Sequence, residues 1–368
     1  MSLPNPDSQS ERARQTNGGS SKSRDVLEAQ KQVVEALRMP EAYDEDIDRI
    51  EMVQTHISFV FLTKNFAYKV KKAVDLGFLD FTTLEKRRLF CEKELELNKR
   101  LCGDMYLGVV SINRSDRIKI EGEGETVEYA VKMKRMPQER MMNKLLEKNE
   151  IGNKLIDRLA KIISDFHSKA DINRRISEFG SSSIIETNWK ENFEQTQEFV
   201  DETMPKEDLE LIRERIIGFM KRNVSLFRKR IIEGRVRDCH GDIHSGNIFI
   251  TERIYIFDAI EFNERFRFSD TASDIAFLAM DLDYKKRSDL SDFFITRYVY
   301  YSQDQELTQL LPFYKCYRAY VRGKVTSFKL KDPNVVDEEK NKAKNEAKAY
   351  FKLASTYARV LSQTSVLN

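Results

Sequence analysis

Val127, Tyr129, Val131 and Met133 alternate with Glu128, Ala130, Lys132 and Lys134 ahead of Pro137, and beyond that proline the apolar positions recur mostly at helical spacing. Alternation with a period of two marks a strand with one buried face, whereas spacings of three and four mark a helix with a buried stripe. A chain whose period switches in this way must fold as a sheet-rich part followed by a helical part.

The details follow that division. A helix is predicted over 26–38, stopping before Pro40. The stretch 52–74 reads as strands, with a hairpin of 58–63 and 66–72 about Lys64-Asn65. Thr82, three residues before Glu85, predicts a capping box that opens a helix reaching Leu101. Strands over 107–112, 118–121 and 127–133 complete an antiparallel sheet carrying one helix. After Pro137, helices are expected over 139–148, 151–169, 185–199 and, as one long element, 206–233. Short strands at 248–250 and 254–257 precede helices at 270–282, 291–301, 310–330 and 337–361. The expected organisation is a disordered tail (1–25, polar and poor in large apolar residues), an amino-terminal lobe (26–134) and a helical lobe (135–365).

Composition excludes several functions. With 62 Lys+Arg against 60 Asp+Glu the formal charge is +2, far from the basic field of a nucleic-acid binder. No run approaches the roughly 18 apolar residues that cross a bilayer, and the start resembles no signal peptide, so a cytoplasmic protein without a membrane partner is expected. Cys91, Cys102, Cys239 and Cys316 are scattered and form no CxxC pair, which predicts buried, reduced thiols.

Two of the four histidines fall in Cys239-His240-Gly241-Asp242-Ile243-His244-Ser245-Gly246-Asn247. Asp242 and Asn247 have the spacing by which a kinase catalytic loop sets a base beside the acceptor hydroxyl and an amide on a metal. Ile254-Tyr255-Ile256-Phe257-Asp258 is an apolar strand ending in a carboxylate, which would deliver a second oxygen ligand for Mg²⁺.

His240-Gly241-Asp242 through Asn247 and Asp258 resembles the aminoglycoside phosphotransferase family, relatives of protein kinases. The resemblance continues in Ile260-Glu261-Phe262-Asn263, Asp270 and Ser273-Asp274-Ile275-Ala276. Thr55-His56-Ile57-Ser58, Tyr68-Lys69-Val70-Lys71-Lys72 and Gly77-Phe78-Leu79-Asp80-Phe81 resemble a bacterial and archaeal subgroup, sometimes fused to a P-loop domain; no Walker A motif occurs in these 368 residues. The likeness spans roughly residues 45 to 330. It implies a two-lobed, kinase-like α+β fold with ATP in a cleft, and transfer of the γ-phosphoryl group to a hydroxyl of a small molecule. Asp242 would be the base, and Asn247 and Asp258 the Mg²⁺ ligands. Lys69 would contact the phosphates, with Lys71 as fallback, oriented by Glu94 or by Glu92. The backbone of Lys134, Arg135 and Met136 would meet adenine, and Asp274 would brace the catalytic loop. Glu261, Arg318 and Arg322 are candidate substrate contacts; Lys315, Arg318 and Arg322 share one helix face that suits an anion. The chain departs from kinases in having no glycine between Gln54 and Val60, where His56 or Ser58 would have to substitute.

Other functions fit parts of this pattern. A nucleotide-binding regulatory module would tolerate the missing glycine-rich loop, and a protein side chain could be the acceptor. His240-x-Asp242-x-His244 also has the spacing of a metallohydrolase ligand cluster, although His56 and His167 are then the only histidines left to complete it. His167 reads better as a packed helix histidine.

Overall fold

The computed structural model describes residues 26–333 and 335–361. The tail expected at 1–25 lies outside the described residues. The described residues divide into two compact units, one up to Pro137 together with Glu261–Asn263, and the other Gln138–Ile260 together with the residues from Glu264 onward. The boundary thus falls at Pro137 rather than at 134, and a three-residue segment of the later chain packs with the first unit.

The first unit runs helix α1 (26–37), strands β1 (Glu51–Gln54), β2 (Ser58–Leu62) and β3 (Phe66–Lys71), helix α2 (Leu84–Cys102), then β4 (Tyr106–Arg114), β5 (Ile118–Ile120) and β6 (Glu125–Lys134). The strands form one antiparallel sheet in the order β1-β2-β3-β6-β4-β5. Pleating sends alternate residues of β3 to opposite faces. Tyr68 and Val70 join Val33, Val34 and Leu37 of α1 in an apolar core with Phe61, Ile112 and Ala130. Lys69 and Lys71 therefore face the other way, where α2 buries a stripe of Cys91, Glu94, Asn98 and Cys102. The cap of α2 is Thr83, not Thr82: the Thr83 side chain accepts from Lys86 N at 3.2 Å, while the Thr82 hydroxyl donates to Asp80 at 2.6 Å.

Gly124 closes the β5–β6 turn with φ +101°, and a Cβ there would lie 2.1 Å from the Arg114 carbonyl oxygen. Gly124→Ala must therefore move the β4 backbone as well as strain its own. It is expected to destabilise the protein by about 1–3 kcal/mol. Urea unfolding of the full chain checks this, and an unchanged midpoint would refute it.

The second unit is helical, as expected, with α3 (Met142–Glu147), α4 (Asn153–Lys169), α5 (Arg174–Glu178), α6 (Ser182–Thr196), α7 (Lys206–Arg222) and α8 (Val224–Ile232). The single helix predicted over 206–233 is broken at Asn223. Its φ of −112° leaves the helix and its side-chain amide donates to Phe219 O at 2.8 Å, the local competition for which Asn is known. Strand β7 (Val236–Asp238) leads to the motif segment, followed by β8 (Ile248–Ile250), β9 (Ile254–Ile256), α9 (Glu264–Arg267) and β10 (Phe268–Asp270). β8 pairs with β9, and β7 with β10, both antiparallel. Helices α10 (Thr271–Tyr284), α11 (Ser288–Ser302), α12 (Leu307–Phe328) and α13 (Asp337–Val360) complete the unit. α10 is buried along almost its whole length and carries the carboxylates Asp274 and Asp281 into the interior. All four cysteines are buried and none forms a disulfide. No described helix is long and apolar enough to cross a membrane.

Candidate active site

In the first unit the two inward lysines of β3 meet one carboxylate. Glu94 Oε1 accepts from Lys69 Nζ and Glu94 Oε2 from Lys71 Nζ, both at 2.8 Å. Lys71 also pairs with Glu261 and lies 5.0 Å from the Phe81 ring centroid. Burial pushes the Glu94 carboxyl up, but the two ammonium groups outweigh it and hold the pKa down at about 2. Burial pushes the Glu261 carboxyl above its ordinary value, with Lys71 opposing the rise and Glu94 adding to it. Glu92 is elsewhere, on the exposed side of α2 with Arg88 at 2.9 Å. Glu94 is thus the residue that orients Lys69. Glu261 is a buried counter-ion of Lys71 rather than the substrate contact expected.

In the second unit the motif segment is a loop fixed from several sides. Gly241 has φ +87°, and a Cβ would come within 3.0 Å of Phe266 O, so glycine is required for the loop to turn. Asp274 accepts from His240 N at 3.0 Å and from Gly241 N at 2.8 Å, and its other neighbour is His167 Nε2 at 3.0 Å. Burial raises the Asp274 pKa, but His167 first and then His240 and Arg318 pull it well below its ordinary value, so it braces the loop as an anion. His167 is the packed helix histidine expected, with Nδ1 2.7 Å from Tyr298 OH. Asp281, unanticipated from sequence, accepts from Ser245 N at 2.8 Å.

The Asp242 side chain, 31% exposed, is held by Asn247, whose Nδ2 lies 2.8 Å from Oδ2. His244 Nδ1 accepts from Gly246 N at 3.1 Å, which leaves the ring proton on Nε2, facing Asp242 Oδ2 at 3.5 Å. Burial raises the Asp242 pKa, but His244 and the more distant Arg322 outweigh it, so the carboxyl sits below its ordinary value. Because Asn247 turns its amide nitrogen to Asp242, its Oδ1 is the atom presented to a cation. Asp258 follows β9 with φ 65°, a conformation that costs a non-glycine residue on the order of 1 kcal/mol. An amide oxygen and a carboxylate form a donor set suited to Mg²⁺.

Other expected site residues are differently placed. The backbone N–H of Lys134 donates to Met105 O at 2.9 Å and that of Arg135 to Asn65 O at 2.8 Å, so neither is open as a donor to adenine. Met136 is half-buried. Ser58 is buried within the sheet and cannot cover phosphates. His56 sits at an exposed turn in which Thr55 Oγ1 takes the N–H groups of Ile57 and Ser58. Lys315 pairs with Asp283 at 2.5 Å. Arg318 donates to Gly241 O at 2.9 Å and Ser273 O at 3.0 Å, bracing the loop rather than a substrate. His240, Asp242 and His244 do not assemble as metal ligands. Among the described residues the group that comes together is His167, Cys239 and Asp274, buried, with its atoms engaged by Tyr298, Ser269 and the loop backbone.

The solved structures to which the chain is similar include kinases and phosphotransferases. A choline/ethanolamine kinase family protein from Mesorhizobium loti matches at TM-score 0.48 and 11% identity, over 89% of this chain and 97% of that one. Plasmodium vivax ethanolamine kinase matches at TM-score 0.42 and 14% identity, over 86% and 82%. An aminoglycoside phosphotransferase from Alicyclobacillus acidocaldarius matches at TM-score 0.43 and 11% identity, over 88% and 94%. By sequence, uncharacterized proteins of Mycobacterium bovis and Mycobacterium tuberculosis are 32% identical over 277 residues, which is 75% of this chain and 54% of theirs. The chain thus spans about half the length of these relatives. No family model matches it.

Proposed function

We propose that the protein is a kinase-like, ATP- and Mg²⁺-dependent phosphotransferase of the aminoglycoside phosphotransferase type, acting on a hydroxyl of a small molecule. The observation that carries this reading is the Asp242 carboxylate, ionised, partly exposed and held by Asn247 on a loop whose N–H groups are bound by Asp274. Asp242 takes the hydroxyl proton as the new O–P bond forms and the bond to the departing ADP breaks. Lys69, oriented by Glu94, holds the phosphates in line. Asn247 and Asp258 hold Mg²⁺, which when bound neutralises charge on the phosphate oxygens. A cytoplasmic enzyme with neither nucleic acid nor membrane as partner accompanies this reading.

Turnover of ATP should require Mg²⁺ or Mn²⁺ and be indifferent to Zn²⁺. Product formation from a set of hydroxyl compounds, after chelation and replacement of single metals, tests both points. Activity restored by Zn²⁺ alone would overturn the assignment in favour of hydrolysis. A second reading, a nucleotide-binding regulatory module, is favoured by the β1–β2 turn, whose N–H groups are committed to Thr55. ATP binding without product from any hydroxyl compound would establish it.

A further inference from the structure

Of the three cations that the sequence places on one face of α12, two have protein partners that account for their charge or donors. Lys315 pairs with Asp283, and Arg318 binds two backbone carbonyls, one of them Gly241 O, next to Asp242. Arg322 is one helical turn beyond Arg318 on that same face, which carries its guanidinium to the Asp242 side of the loop. Among the described residues no carboxylate oxygen lies within 4.0 Å of it. Its ring contact is Tyr350, 5.4 Å to the centroid, and Tyr350 is stacked on Tyr284 at 4.0 Å. Asp281, the other carboxylate nearby, is hydrogen-bonded to the loop through Ser245 N. The guanidinium of this half-buried residue, over the Tyr350 ring with Tyr284 stacked behind that ring and lacking an ion-pair partner, is suited to a planar or tetrahedral oxyanion, which it can meet with two parallel N–H bonds.

We propose that Arg322 binds the anionic group, phosphate or carboxylate, of the hydroxyl compound that is phosphorylated at Asp242, with Tyr350 and Tyr284 forming the wall behind it. This rests on the phosphotransferase reading for the reaction but not for the binding, so the two can be tested apart. The full chain is titrated calorimetrically with glycerol 3-phosphate, 3-phosphoglycerate and glycerate, with glycerol as the neutral counterpart, choline as the cationic one and inorganic phosphate as the anion without a hydroxyl.

At least one anionic hydroxyl compound should bind about 10- to 100-fold more tightly than glycerol, the range lost with a charge-assisted hydrogen bond. It should also bind more tightly than inorganic phosphate. Arg322→Gln should remove that margin, Arg322→Lys, which keeps the charge but not the paired N–H bonds, should keep only part of it, and Arg174→Gln, at an exposed position, should not change it. Should Arg322→Gln fail to fold, the lysine variant and the ligand series still decide. Equal binding of anions and glycerol, preferred binding of choline, or an anion margin that survives Arg322→Gln overturns the proposal. So does a rise in the KM for ATP alone, which would give Arg322 to the nucleotide. Anion binding through Arg322 with no phosphorylation under ATP and Mg²⁺ keeps this inference and overturns the reaction assigned.

Discussion

Asp242→Asn is expected to lower the turnover number by roughly 10²- to 10⁴-fold, the usual worth of a general base, with the affinity for ATP little changed. The substitution is nearly isosteric, and an asparagine there can still present an oxygen to Asn247 Nδ2, so the loop held by Asp274 and Arg318 keeps its shape. What disappears is the negative charge that receives the hydroxyl proton. Lys69→Met should behave differently, raising the KM for ATP, because on the proposed reading it removes a phosphate contact and leaves the acceptor side intact. Steady-state kinetics with ATP and acceptor varied separately distinguish the two. Full activity of the Asp242 variant would remove the base from the mechanism.

The parts of the site that the sequence made legible are those fixed by short-range periodicity. Lys69 and Lys71 lie two apart on a strand and so must share a face, and the buried stripe of α2 reads Cys91, Glu94, Asn98 and Cys102 at helical spacing. Glu94 and Glu92 stayed alternatives at the level of sequence, and the burial of Cys91, Glu94, Asn98 and Cys102 on one face of α2 decides between them. Partners that arrive from distant sequence were not legible. Nothing local to Glu261 announces Lys71, 190 residues earlier, and nothing local to Arg318 announces the carbonyl of Gly241. Arg318 and Arg322 share a helix face, so only the tertiary contact tells the brace from the candidate ligand. Strands β7 and β10 were illegible for another reason: unlike the equally short but apolar β8 and β9, their sequences Val-Arg-Asp and Phe-Ser-Asp carry no strand signal, and they exist through their mutual pairing. The break at Asn223 had no proline or glycine to signal it, whereas Gly218, the residue that might have done so, lies within α7.

The buried charges of the first unit should dominate its stability. Lys71 is fully buried with Glu94 and Glu261, and Lys71→Met leaves Glu261 without its lysine in a desolvated site. Removing one partner of a buried ion pair typically costs about 3–5 kcal/mol, whereas replacing the pair by apolar or neutral groups is often nearly neutral. Lys71→Met is therefore expected to cost about that much, and the double variant Lys71→Met with Glu261→Gln to recover most of it. Hydrogen exchange of β3 and α2 amides in the full chain measures both. The ionised Glu94 adds a pH dependence whose sign is fixed: its folded pKa of about 2 lies below the ordinary 4.5, so its stabilising share is complete above 4.5 and is lost as pH falls towards 2. With Lys71 absent the Glu94 carboxyl has only Lys69 to hold it ionised, so loss of protection on acidification should begin at a higher pH. If the single and double variants exchange equally fast, Glu261 is not the unpaired charge that causes the loss, and its pairing with Lys71 is incidental to the fold.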